Sequence, residues 1–171
     1  DDVTYITVHN IFKLNKINLI DVSYPGAKSD RPPLLPEPWK GKSQRRIYND
    51  IIGYSEGRLI FQENKGIFRL KEINSDINKI SKLKTDRHEI DAAYKFAEDE
   101  NLKVEEIIVG VAFAKSSNMN KVFNLIEFSK VDYFILIDQD NKEWKIYSNI
   151  DDSLFENKSG AIDLPITYEL A

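Results

Sequence analysis

From Ile107 to Ala114 the chain reads Ile-Ile-Val-Gly-Val-Ala-Phe-Ala, with no polar side chain in eight positions. A strand with one wet face alternates apolar and polar residues, so a run like this reads as a strand covered on both sides. Residues 106–114 are therefore expected to be a buried central strand. Tyr133 to Ile137 repeats the pattern and is joined by the polar turn Gln139–Lys142 to a further strand, Trp144–Tyr147. Between and before these runs lie helical patterns. Thr85 or Asp86 caps a helix whose Ile90, Ala93, Tyr94 and Ala97 recur at helical spacing, with Glu98-Asp99-Glu100 as its solvated end. Asn118 to Ser129 reads as a second amphipathic helix, apolar at Val122, Phe123, Leu125 and Ile126. Alternating helices and strands imply an α/β domain, a mixed central sheet flanked by helices.

Nearer the start, Val3 to Val8 reads as a strand by its β-branched alternation, and residues 11–22 are ambiguous between helix and strand. Residues 25–38 hold five of the six prolines and are expected to be an extended arm or loop. Residues 74–85 read as a basic loop or short helix, and Ile166 to Leu170 as an edge strand. With 171 residues and 42% hydrophobic content, the sequence suits one domain, 1–171, with a proper core.

The segment that carries chemistry lies between the arm and the first long helix. Asn49 to Tyr54 is apolar and β-branched, Ser55-Glu56-Gly57 is a turn, and Arg58 to Glu63 is a second strand. That is a hairpin signature. Taking residue 56 as its centre puts Asp50 opposite Gln62 and next to Glu63, while Glu63 and Lys65, two apart, share a face. Two carboxylates and an amine then converge. Mg²⁺ takes one or two protein carboxylates and keeps its other positions for water and substrate phosphate. A neighbouring lysine can hold or help deprotonate the attacking water. Four acid-x-Lys triplets occur in the chain: Glu63-Asn64-Lys65, Asp140-Asn141-Lys142, Glu143-Trp144-Lys145 and Glu156-Asn157-Lys158. Context separates them. The second lies in a turn and the fourth in a polar segment without a strand pattern, while the third, with Asp138 mirrored across its turn, is a charged hairpin tip.

Asp50 followed after thirteen residues by Glu63-Asn64-Lys65 resembles the PD-(D/E)xK nuclease superfamily, in particular type II restriction endonucleases. Asn49 stands where the family pattern has proline. The resemblance implies a restriction-endonuclease-like core and a Mg²⁺-dependent endonuclease that hydrolyses DNA phosphodiester bonds. Asp50, Glu63 and Lys65 would be its catalytic residues, with Asp50 and Glu63 holding the metal. Gln62 and Asn64, on the other strand face, are expected to be structural.

Charge distribution agrees with a nucleic-acid partner. The net charge is −4, but residues 1–90 carry 16 basic and 12 acidic side chains, against 8 and 16 in residues 91–171. Lys40, Lys42, Arg45 and Arg46, with Lys79, Lys82 and Lys84, are expected to contact backbone phosphates of double-stranded DNA. Cutting both strands would suit a homodimer, since a two-fold protein matches a two-fold site. There is no cysteine, which excludes thiolate metal sites and a Cys nucleophile, and the two histidines, His9 and His88, are far apart. No apolar run approaches a membrane span, and a cytoplasmic location is expected. The alternative is a non-enzymatic acidic interaction module of immunity type, or a catalytically inactive nuclease fold that binds DNA.

Overall fold

Seven strands form one mixed sheet in a computed structural model that describes residues 2–22, 50–150 and 154–162. In chain order and in spatial order they are β1 (Asn18–Val22), β2 (Ile51–Ser55), β3 (Arg58–Ile67), β4 (Glu106–Ala114), β5 (Tyr133–Asp138), β6 (Glu143–Ser148) and β7 (Ser159–Ala161). The central strands β3, β4 and β5 are parallel, and both flanks are antiparallel. Parallel neighbours need long crossovers. The first consists of α2 (Leu70–Thr85) and α3 (Arg87–Asp99), the second of the single turn α4 (Met119–Val122) followed by 3-10 turns at Phe123–Leu125 and Phe128–Lys130. Both crossovers pack on one face. The opposite face is covered by α1 (Asp2–Leu14) and by Leu154 and Phe155. The expected α/β architecture around a mixed sheet is therefore present. The proline-rich arm at 25–38, the basic residues Lys40, Lys42, Arg45 and Arg46, and the strand expected at 166–170 lie outside the described residues.

Alternation along the central strands feeds two cores. Leu59, Phe61, Val109, Val111 and Phe113 meet Ile73, Ile77, Ile80 and Leu83 of α2 and Ala93 and Ala97 of α3. Ile60, Ile108, Ala112 and Ile135 meet Val8, Ile11 and Phe12 of α1. All of Ile107–Ala114 is buried, as an unbroken apolar run requires. Within it, Gly110 is needed for space. A Cβ there would lie 2.1 Å from the Tyr133 ring, which crosses over this position from β5.

Three expectations are corrected. Residues 3–8 are helical, not a strand. Thr4, Thr7, Val8, Ile11 and Phe12 are all buried, and that is the 3–4 spacing of one helix face. Packing of this stripe on the sheet overrides the β preference of its Val, Ile and Thr residues. Residues 74–85 belong to a sixteen-residue helix, anchored by Ile73, Ile77, Ile80 and Leu83. The helix expected over 118–129 is broken after one turn. Asn74 of α2 takes over backbone partners there: its Oδ1 accepts from the Glu127 N–H at 3.0 Å, and its Nδ2 donates to the Leu125 carbonyl at 3.0 Å. Asp86 is the helix cap of α3, its carboxylate accepting from the N–H groups of His88 and Glu89.

The hairpin is present but one residue tighter than expected. Ser55 pairs with Arg58, leaving Glu56 and Gly57 as a two-residue turn with φ of +46° and +82°. Two left-handed residues make the turn whose twist matches that of the strands. Ile51 consequently faces Gln62. Asp50, one step earlier, comes opposite Glu63 rather than Gln62.

Candidate active site

Asp50 sits at the entry to β2 and Glu63 on the facing strand, both directed to the α2 side of the sheet like Ile52 and Phe61. The Asp50 carboxylate is held by the backbone of the facing strand, its Oδ2 accepting the N–H of Asn64 at 2.7 Å. The Tyr5 phenol of α1 is its electrostatic neighbour. The carboxylate is also hydrogen-bonded to Glu63. Two carboxyl groups can make that bond only if one of them carries a proton.

The electrostatics follow from burial. Desolvation is the largest influence on Glu63 and lifts its carboxyl well above the usual range, and the charges of Asp50 and Asp76 lift it further. Desolvation also lifts Asp50, opposed by the hydrogen bond from Asn64, by Glu63 and by the Tyr5 phenol. Burial together with the Asp50 carboxylate pushes the Tyr5 phenol up. The pair therefore shares a proton into a range where isolated carboxyls have lost theirs.

Lys65 shares the Glu63 face of β3, as expected, and its charge favours the ionised form of Glu63. Its Nζ lies 3.4 Å from Oδ2 of Asp76, in the second turn of α2. Just after Lys65 the pairing of β3 with β4 shifts register between Asn64 and Ile67, a bulge that includes Gly66. It opens a cavity of about 450 Å³ lined by Tyr5, Asn64, Lys65, Gly66, Ile67, Arg69 and Glu72. Tyr5 and Lys65 belong both to this cavity and to the carboxyl cluster.

Behind the strand, Gln62 and Asn64 are structural. The Tyr133 hydroxyl donates to Oε1 of Gln62, whose Nε2 donates to Oδ1 of Asn64 at 2.9 Å and to the Glu63 carbonyl at 3.1 Å. This chain of buried bonds fixes the backbone on either side of Glu63. The buried Asn64 amide nitrogen and the Thr4 and Thr7 hydroxyls have no hydrogen-bond partner among the described residues.

The remaining expected residues divide. Lys79 and Lys82 are exposed on α2. Lys84 is engaged: its Nζ donates to the Ile107 carbonyl at 3.0 Å and to both oxygens of Asp132, tying α2 to the ends of β4 and β5. At 1.5 Å of rise per residue, Lys84 is about 12 Å along the helix from Asp76. The rival triplet has a local explanation. Asp138 faces Glu143 across the turn, accepts from the N–H and side-chain amide of Asn141, and pairs with Lys115 at 3.8 Å. Those hydrogen bonds hold its carboxyl below the usual range.

Two residues of the cluster, Tyr5 and Asp76, escape the sequence. Tyr5 carries a signal in hindsight, the helical stripe of α1 on either side of it. Asp76 carries none, being one acid in a polar stretch.

Among the described residues, no three His, Asp or Glu side chains are gathered closely enough to hold a metal by themselves. The Asp50–Glu63 pair nonetheless fits a hard cation such as Mg²⁺. Two adjacent carboxyls kept from full ionisation by burial and mutual charge are what a divalent ion would relieve, and Mg²⁺ takes its other ligands from water and substrate. No family model, curated protein or solved structure matches the chain.

Proposed function

We propose that the protein is a metal-dependent endodeoxyribonuclease with a restriction-endonuclease-like core, acting on double-stranded DNA as a homodimer. The observation that carries this reading is the convergence of Asp50, Glu63 and Lys65 at a bulge beside an open cavity. Asp50 and Glu63 would hold Mg²⁺, which when bound supplies an acidified water and neutralises charge on the scissile phosphate. Asp50, fixed by the Asn64 N–H, is the rigid member of the pair. Glu63 would give up the shared proton if the ion were bound. Lys65 exchanges Asp76 for the attacking water or the phosphate and offsets the negative charge that grows there in the transition state. Arg69, exposed at the cavity rim, would receive a flanking phosphate.

The test is incubation with supercoiled plasmid DNA and Mg²⁺, with EDTA as control. Linear or nicked product that needs Mg²⁺ and is lost in Asp50→Asn supports the reading. Binding to DNA without cleavage would favour an inactive nuclease fold. No DNA binding at low salt with Ca²⁺ in place of Mg²⁺ would leave the acidic interaction module.

A further inference from the structure

Alternation along β3 puts Phe61, Glu63 and Lys65 on the α2 side of the sheet and would send Ile67 into the core beneath that helix. It does not go there. Asn64 pairs with Ala112 and Ile67 with Ala114, so Lys65 and Gly66 together stand against Phe113 alone. Ile67 is thereby returned to the α1 side with Asn64, and Phe68 takes the inward place, its ring 5.5 Å from that of Phe113. The bulge leaves an isoleucine 63% exposed where it lines the cavity. The side chain is firmly presented. The next N–H, of Phe68, donates to the Ala114 carbonyl at 2.9 Å, and a β-branched residue is stiff at χ1. Its neighbours in the cavity are Lys65 and Arg69, one before and one after it in the chain. Arg69, with its side chain 73% exposed, holds Glu72 at 3.7 Å, a surface pair that a phosphate replaces at little cost. Asn64 lines the same cavity, and its buried Nδ2 has no acceptor among the described residues.

We infer that Ile67 is a wedge that enters a base step of duplex DNA from the minor groove, with Lys65 and Arg69 taking phosphates on either side. The inference rests on the function proposed above and narrows its substrate to a duplex opened at one step. Nucleic acid is the partner that matches an apolar tip between two cations, since its charge lies outside and its apolar faces are stacked within. Every base pair offers acceptors in the minor groove, which the Asn64 amide would meet as a donor. Apolar wedges of this kind part the stacked bases and kink the duplex by about 20–90°. The strand beside such a kink passes Lys65, the cation next to Glu63.

The experiment is a binding titration of two short duplexes in EDTA at low salt, for wild type and Ile67→Ala, with thermal unfolding of each protein. One duplex is perfectly paired, and the other has the same sequence with a single unpaired adenine, where the stack is already broken. Unstacking a step costs a few kcal/mol, so wild type should bind the interrupted duplex about 10-fold more tightly. Ile67→Ala should bind the two alike and unfold at the wild-type temperature, because the side chain it shortens is mostly in water. Wild type that binds both duplexes equally, or a preference that survives in Ile67→Ala, overturns the wedge and leaves DNA as the substrate. Wild type that binds neither duplex overturns both the wedge and the nuclease reading.

Discussion

Glu63→Gln separates the cost of the carboxyl pair from its use. Two unit charges about 4 Å apart repel by roughly 4 kcal/mol at the effective dielectric of a partly buried protein site. The shared proton removes most of this in the metal-free protein, but a growing fraction of molecules loses it as pH rises. Glutamine is neutral at every pH, nearly the same size as glutamate, and still offers an N–H toward Asp50, as the protonated carboxyl does. The variant should therefore be more stable than wild type in EDTA at pH 8, by about 1–2 kcal/mol after side-chain relaxation. For a chain of this size that is an increase of roughly 3–6 °C in Tm. Mg²⁺ should reverse the order. A ligand at 100 times its Kd adds about 2.7 kcal/mol to the wild type, and the variant, with one ligating carboxylate left, should gain little. The assay is thermal unfolding of both proteins in EDTA and in saturating Mg²⁺. A variant less stable than wild type in EDTA, or equally stabilised by Mg²⁺, would refute the reasoning.

Lys65→Ala should abolish DNA cleavage while leaving DNA binding nearly unchanged, since its amine acts on charge that develops only in the transition state; single-turnover cleavage alongside a binding titration checks this. In the metal-free protein the raised Asp50 and Glu63 carboxyls bind protons that the unfolded chain has released. Their contribution to stability therefore falls as pH rises from the ordinary carboxyl range through their raised values. Metal binding should release protons and tighten over the same interval, measurable by calorimetry in buffers of different ionisation enthalpy. Gly110→Ala should drive the Tyr133 ring off its seat and break its bond to Gln62, at a cost of about 2–4 kcal/mol in denaturant unfolding.

How far the sequence speaks depends on whether local pattern or distant packing decides each element. The strands at 106–114 and 133–138 are legible because a continuous apolar run has few other homes. Helix α3 is legible because Asp86 caps it before a clean periodic face. Helix α1 is misread because a short β-branched stretch satisfies alternation and helical spacing at once, and only the sheet beneath it chooses between them. The break after Val122 is invisible because its cause, Asn74, lies some fifty residues away. The same division runs through the site. Asp50, Glu63 and Lys65 sit on one hairpin, where pairing is local and countable, although the pairing across the turn is shifted by one residue from the expected one. Tyr5 and Asp76 arrive from two helices on opposite faces, and no spacing in the chain connects them to the hairpin.

The two-residue turn at Glu56 and Gly57 works as a ruler for chemistry that takes place far from it. Asp50 is six residues up the strand, about 20 Å away. Nothing at the turn touches the cluster, yet the turn decides which side chain stands across from Glu63. A slip of one step would present Ile51 or Asn49 instead and carry the carboxylate to the α1 side of the sheet. Changes at the tip that a surface loop would ordinarily tolerate, such as deletion of Gly57 or a β-branched residue at its positive φ, are therefore changes to the site itself. The length of this hairpin is as much a part of the site as the acids it aligns.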